Sequence, residues 1–129
     1  MQTEIEKIDC STSPLFFSAP FLCNGSLLTN GPRWNLTNIT AGSMRFRWNE
    51  TNQNRDIFFK ENFAPLLPTP VELIHSKDVI VARTQKDTEN LQADGIITQN
   101  PNLLPVITVA DCMPIFLYDP VSKFFGVLH

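Results

Sequence analysis

The chain has 129 residues, 43% of them hydrophobic, with ten phenylalanines and a formal net charge of -3. That composition suits one domain with a modest core and argues against a disordered chain. The slight acidity gives no electrostatic basis for nucleic acid or anionic membrane as partner, and no apolar run approaches the roughly 20 residues needed to span a bilayer.

The opening Met-Gln-Thr-Glu-Ile-Glu-Lys lacks the basic-then-apolar order of a signal peptide, so a cytoplasmic location is expected. The three cysteines, an odd number, do not suggest a disulfide framework. Asn-X-Ser/Thr triplets begin at Asn24, Asn35, Asn38 and Asn49. Without a secretory route they are read as accidents of an Asn/Thr-rich stretch.

In chain order, Leu15 to Leu22 is an apolar run suited to a strand, with Pro20 marking an edge or bulge. Asn24-Gly25 and Asn30-Gly31-Pro32 are turn signals, and the region to Asn54 is expected to be mostly loop. Within it, the alternation in Ser43 to Trp48 suggests a short strand. Asn52 to Phe63 is expected to be helical, with a polar cap region before an apolar stripe. Pro65, Pro68 and Pro70 then force an extended connector.

Val71 to Ile74 and Val79 to Ala82 are expected as short strands, the first ending at His75, and polar Arg83 to Gln92 as a loop. Asp94-Gly95 reads as a turn. Two apolar runs with β-branched residues, Leu103 to Val109 and Ile115 to Tyr118, flank an Ala110-Asp111-Cys112 elbow, and a third apolar run, Phe124 to Leu128, leads into His129. No repeat and no linker divides the chain, so a single domain over 1–129 is expected. The pattern is many strands with one convincing helix, which cannot by itself cover a sheet apolar on both faces.

His75, Cys112 and His129 each follow an apolar, strand-like run. A soft thiolate with two imidazoles suits Zn²⁺ or copper and leaves a fourth position open for water or substrate. Their wide spacing is more typical of a catalytic metal than of a zinc finger. The alternative is a buried cysteine acting as a small hydrophobe and two hydrogen-bonded histidines. Asp111 could orient a ligand or act as a general base, or it could cap the elbow through its own backbone. Arg55, at the start of the helix, could clamp an anion, or be exposed and paired with Asp56. Cys10 and Cys23 lie near turn signals and are read as structural.

Three segments together resemble a known family: Ala93-Asp94-Gly95-Ile96-Ile97-Thr98, then Thr108-Val109-Ala110-Asp111-Cys112-Met113-Pro114, then Gly126-Val127-Leu128-His129. The family is the YfiH-like one, also known as multicopper polyphenol oxidase or laccase-domain proteins and as purine nucleoside phosphorylases. Its signature is D-G followed by two apolar residues and Thr, then T-A-D-C-x-P, then the histidine that opens His-Ala-Gly-Trp-Arg-Gly. Ile74-His75 followed by Val79, and Asn54-Arg55, are weaker echoes.

The resemblance implies a mixed-sheet α/β sandwich, here incomplete. It also implies that His75, Cys112 and His129 ligate zinc, and that the substrates are purine nucleosides and phosphate. The implied reactions are phosphorolysis of adenosine, inosine, guanosine or methylthioadenosine, and deamination of adenosine. Asp111 is then the candidate proton acceptor and Arg55 the candidate phosphate clamp. A copper-dependent phenol oxidase and a non-catalytic interaction module are the competing expectations.

Residues 1–50 follow the family pattern poorly, and Leu73 stands where the family has glutamine. The segment that should follow His129 is not in the chain, which is therefore expected to be the N-terminal half of such a domain. The sheet face it leaves open would pair with that missing half or with a second copy.

Overall fold

The computed structural model describes residues 11–129, so the reading of Cys10 falls outside it. The chain divides into two compact units, Met1–Gly42 and Ser43–His129.

In the first unit, β1 (Ser11–Thr12), β2 (Phe16–Pro20) and β5 (Arg33–Thr37) form an antiparallel sheet in the order β1-β2-β5. Between the last two, β3 (Leu22–Cys23) and β4 (Ser26–Leu27) make a small hairpin. The run expected from Leu15 to Leu22 is thus split at Phe21, and Pro20 ends its strand. Asn24 and Gly25 close the hairpin with φ of 50° and 78°. These are the two positive values that a two-residue turn matched to strand twist demands. Asn38 accepts from the Thr40 amide and donates to the Pro14 carbonyl, capping a 3-10 turn over Ile39–Ala41. At least two of the Asn-X-Ser/Thr asparagines therefore have backbone roles.

The second unit begins with residues 43–52, which form no strand, contrary to the expected alternation. Side chains hold them instead: Asn52 donates to the Ser43 and Arg45 carbonyls, and the Trp48 indole donates to the Leu91 carbonyl at 2.8 Å. Those bonds satisfy backbone groups that a ladder would otherwise take up. Helix α1 (Gln53–Phe63) follows, where the sequence places it, because the Asn52 side chain accepts from the Arg55 amide at 3.1 Å. Phe58 is its buried anchor and contacts the rings of Phe59 and Phe63.

After a cis Ala64–Pro65 bond, the expected connector is itself β6 (Leu67–Pro70). It pairs in parallel with β9 (Leu103–Val106), Leu67 opposite Leu103 and Pro70 opposite Val106. The Leu67 amide donates to Asn102. Alternate residues turn their N–H to the same side, so Pro68 and Pro70 lack only the donors that would face outward. That is how proline fits an edge strand.

Val71 to Ile74 is not a strand, and its pairing is one parallel bridge between Glu72 and Gln92. Strand β7 is limited to Ile80–Val81. Within the expected loop 83–92, Gln85–Thr88 is a 3-10 turn closed by a reciprocal cap of Thr84 and Asp87. The turn expected at Asp94-Gly95 is instead the entry to β8 (Gly95–Thr98). Strand β10 (Ile115–Tyr118) stands as expected, whereas β11 (Phe125–Leu128) starts one residue late.

These strands form a mixed sheet in the order β10-β11-β8-β7, parallel only between β7 and β8. The core gathers Val71, Ala82, Ala93, Ile96 and Leu103, with Leu73, Ile80 and Ile107 packed against it. Ile96, at the centre of β8, is wholly buried. Small mixed sheets with one α-helix match an incomplete α/β sandwich. No helix among the described residues is long and apolar enough to cross a membrane.

Candidate metal centre

Strand polarity brings three distant residues to one end of the second unit. Strand β8 runs away from that end, β9 returns toward it parallel to β6, and β11 returns toward it antiparallel to β8. His75 lies beyond the exit of β6, Cys112 in a bend beyond the exit of β9, and His129 directly after β11. One donor atom from each of the three lies within 4.8 Å of the others. The rings of His75 and His129 sit 5.0 Å apart at 64°.

Register explains the placement of His129. Leu128 faces Gly95, so His129 is opposite Asp94, and its amide donates to the Asp94 carbonyl at 2.8 Å. Directly opposed residues of an antiparallel pair project to the same face. The His129 Nδ1 accordingly meets Asp94 Oδ1 at 2.8 Å. This approach needs glycine at position 126, where a Cβ would press on the Ile96 carbonyl and lie 2.8 Å from Ile97 Cα; a Cβ on Gly95 would meet the movable end of the Leu128 side chain.

Asp94 is the residue that sequence reasoning missed, having taken it for a turn. It is 4% exposed, and its carboxylate also receives the amides of Ile74, His75 and Ser76 and the Ser76 hydroxyl. Burial alone would raise its pKa. The Ser76 amide, the His129 ring, the Ser76 hydroxyl and the Ile74 amide outweigh that and hold the carboxyl well below the usual range. The signal was present in the sequence as an acid immediately before a buried apolar strand. His75 has φ of 60°, the left-handed region that a non-glycine residue occupies only when its surroundings hold it there.

Cys112 is exposed and free, and Asp111 is exposed beside it in the same bend. Cys23 is also free, half-buried in β3. Arg55 belongs to another place. Of the expected exposed arginine paired with Asp56, the pairing is present but the exposure is not, because its side chain is only 8% exposed. Its guanidinium lies over the rings of Phe46 and Phe59 at 4.5 and 5.0 Å, and Asp56 is 3.9 Å away. Burial pulls its pKa down, with Asp56 partly opposing. It lines a groove of about 620 Å³ with Phe46, Phe59, Lys60 and Lys86, to which none of His75, Cys112 and His129 contributes.

The donor set fits a metal. A thiolate and two imidazoles are ligands for Zn²⁺ or copper, and Asp94 supplies the outer carboxylate that metal-binding histidines commonly carry. Chemically the cluster could hold one ion with an open position. Without an ion, the same atoms are a thiol beside two imidazoles.

Known relatives carry similar segments. Purine nucleoside phosphorylase YlmD of Bacillus subtilis is 47% identical over 36 residues, 28% of this chain and 13% of that protein. Purine nucleoside phosphorylase SSP1584 of Staphylococcus saprophyticus is 34% identical over 68 residues, 46% of this chain and 26% of its own. A third relative bears a different name: the probable chemoreceptor glutamine deamidase CheD of Caldanaerobacter subterraneus, 40% identical over 37 residues, 29% of this chain and 23% of its own. The matched chain thus spans well under two thirds of each relative, and the shared segment does not by itself fix one reaction. No solved structure gives a significant match. The family described as multi-copper polyphenol oxidoreductase laccase matches residues 40–129, a stretch that holds all three clustered donors and the sheet that positions them, and the chain belongs to that family.

Proposed function

We propose that the chain carries the metal-binding half of a zinc-dependent purine nucleoside phosphorylase, with 1–129 as one incomplete domain of the YfiH-like type. The observation that carries the proposal is the convergence of His75, Cys112 and His129 to within 4.8 Å. Relatives named as purine nucleoside phosphorylases, similar over short segments, support this reaction class.

In phosphorolysis a phosphate oxygen replaces the base at the sugar carbon, and the base leaves with the proton released by phosphate. In adenosine deamination a water oxygen replaces the amino group, and ammonia leaves. Zinc bound by the three donors would supply Lewis acidity at an open coordination position. Asp111, exposed beside Cys112, is the proposed group that takes the water proton and returns it to the departing amine. Arg55 is the proposed phosphate clamp, supported by a buried guanidinium whose Nε and Nη2 have no hydrogen-bond partner among the described residues. Against that role, its groove is not lined by any of the three donors. The missing half of the domain is the proposed partner. Strand β10, at the edge of the sheet with Ile115 and Leu117 exposed, is where it would add.

A copper-dependent phenol oxidase is the second reading, favoured by the family's description. Among the described residues one three-donor cluster is found, and oxidase chemistry on oxygen usually draws on several redox metals. Metal analysis combined with a phosphate-dependent nucleoside assay on the protein extended past His129 separates the two. Zinc with phosphate-dependent base release, lost on Cys112→Ala, supports the proposal. Copper with phenol oxidation replaces it, and neither metal nor turnover ends both. Phosphate dependence that survives Arg55→Ala removes Arg55 from its role.

A further inference from the structure

We propose that Asp94 is the positioning residue of the metal centre, one carboxylate that pre-sets two of the three ligands before any metal arrives. The inference rests on the metal reading above and adds to it a residue outside the ligand set.

Three consecutive amides, those of Ile74, His75 and Ser76, converge on the Asp94 carboxylate at 3.3, 3.0 and 2.6 Å, and the Ser76 hydroxyl joins them at 2.8 Å. Successive amides around a left-handed residue form an anion-binding concavity. Here the left-handed residue is His75 itself, with φ of 60°. Filling that concavity with a carboxylate fixes the main chain of His75 and so the place from which its ring starts.

The same carboxylate reaches the second ligand. Oδ1 lies 2.8 Å from His129 Nδ1 while also accepting from the His75 amide. An ionised carboxylate accepts and does not donate, so Nδ1 must carry the proton. In a neutral imidazole that leaves the lone pair on Nε2, which is the state a metal needs. Five donors for about four lone-pair directions leave Asp94 little freedom to turn away. All of these bonds run between protein groups of residues 74–76, 94 and 129, so the fold itself supplies them.

Three measurements on the chain and its variants test the role. Long-range ¹H–¹⁵N NMR at neutral pH is expected to show His129 as the Nδ1-protonated tautomer. Competition with a chromophoric chelator is expected to show zinc affinity falling about 10- to 100-fold in Asp94→Asn, the usual effect of losing an outer-shell partner. Ser76→Ala, which removes one bond to Asp94 and none to His129, is expected to lower the melting temperature yet leave zinc affinity nearly unchanged. A purely structural Asp94 would move the melting temperature in both variants and zinc affinity in neither.

Asp94→Asn binding zinc as tightly as the unmodified chain, with His75→Ala binding none, overturns the inference and leaves the metal reading standing. An Nε2-protonated His129 overturns it as well, even where Asp94→Asn does not fold. An unmodified chain that binds no zinc overturns the metal reading, and this inference with it.

Discussion

Asp94 and Arg55 are both buried charges, and the fold treats them in opposite ways. Asp94 gathers five donors. Arg55 has two nitrogens with no hydrogen-bond partner among the described residues and is faced by two phenylalanine rings. A buried cation without full compensation is expensive, and an apolar side chain of similar volume is often tolerated in its place. Arg55→Met is therefore expected to hold or raise stability in urea unfolding, by on the order of 1 kcal/mol. A loss above about 2 kcal/mol would mean that the ring contacts stabilise more than desolvation costs. The sequence offered Arg55 as an anion clamp or a solvated pair. It could not show burial, which depends on Phe46 arriving from a segment with no regular structure of its own.

At the scale of elements, what was legible depended on whether the signal was local. Asn52 caps the helix and β10 spans Ile115 to Tyr118, because capping and the strand preference of an apolar, aromatic-rich run act within a few residues. The expected strand at 43–48 failed, since alternation without a partner edge makes no ladder, and so did the one at 71–74, where pairing amounts to a single bridge. In the other direction, β6 carries two prolines and was read as a connector. It pairs because its missing donors face away from β9.

Register depends most heavily on Gly126. Gly126→Ala is expected to cost at least about 2 kcal/mol, since the clash is with backbone of β8 and cannot be relieved by a rotamer change. The same substitution is expected to weaken zinc binding, because shifting β11 moves His129 from opposite Asp94. Thermal unfolding and chelator competition on one preparation check both. A variant as stable as the parent would show that the strand pair can part freely.

At the scale of the whole molecule, the second unit holds both the core and the metal centre, and the family match over residues 40–129 coincides with it. A metal held there would therefore couple its affinity to folding. Zinc at 100 times its dissociation constant is expected to stabilise this unit by about 2.7 kcal/mol. Calorimetry should show a raised melting temperature that EDTA reverses and that Cys112→Ala abolishes. Zinc without effect on the parent chain would mean that the three donors do not act together. Since Cys112 is exposed and free, its removal alone is expected to leave the metal-free protein nearly as stable as before.

The amino-acid sequence by itself determined the fold class, the family resemblance, the helix, several strands and the three residues that converge. Each of these is carried by a short motif or by local propensity. Only the tertiary structure decided that Asp94 collects the amides of residues 74–76 and faces the His129 ring rather than closing a turn, that β6 is a strand, and that Arg55 sits apart from the three clustered donors. The reason is physical: a carboxylate's role is set by the donors that surround it. The donors around Asp94 come from residues 74–76 and 129, which meet only once register and strand polarity have been fixed across the sheet.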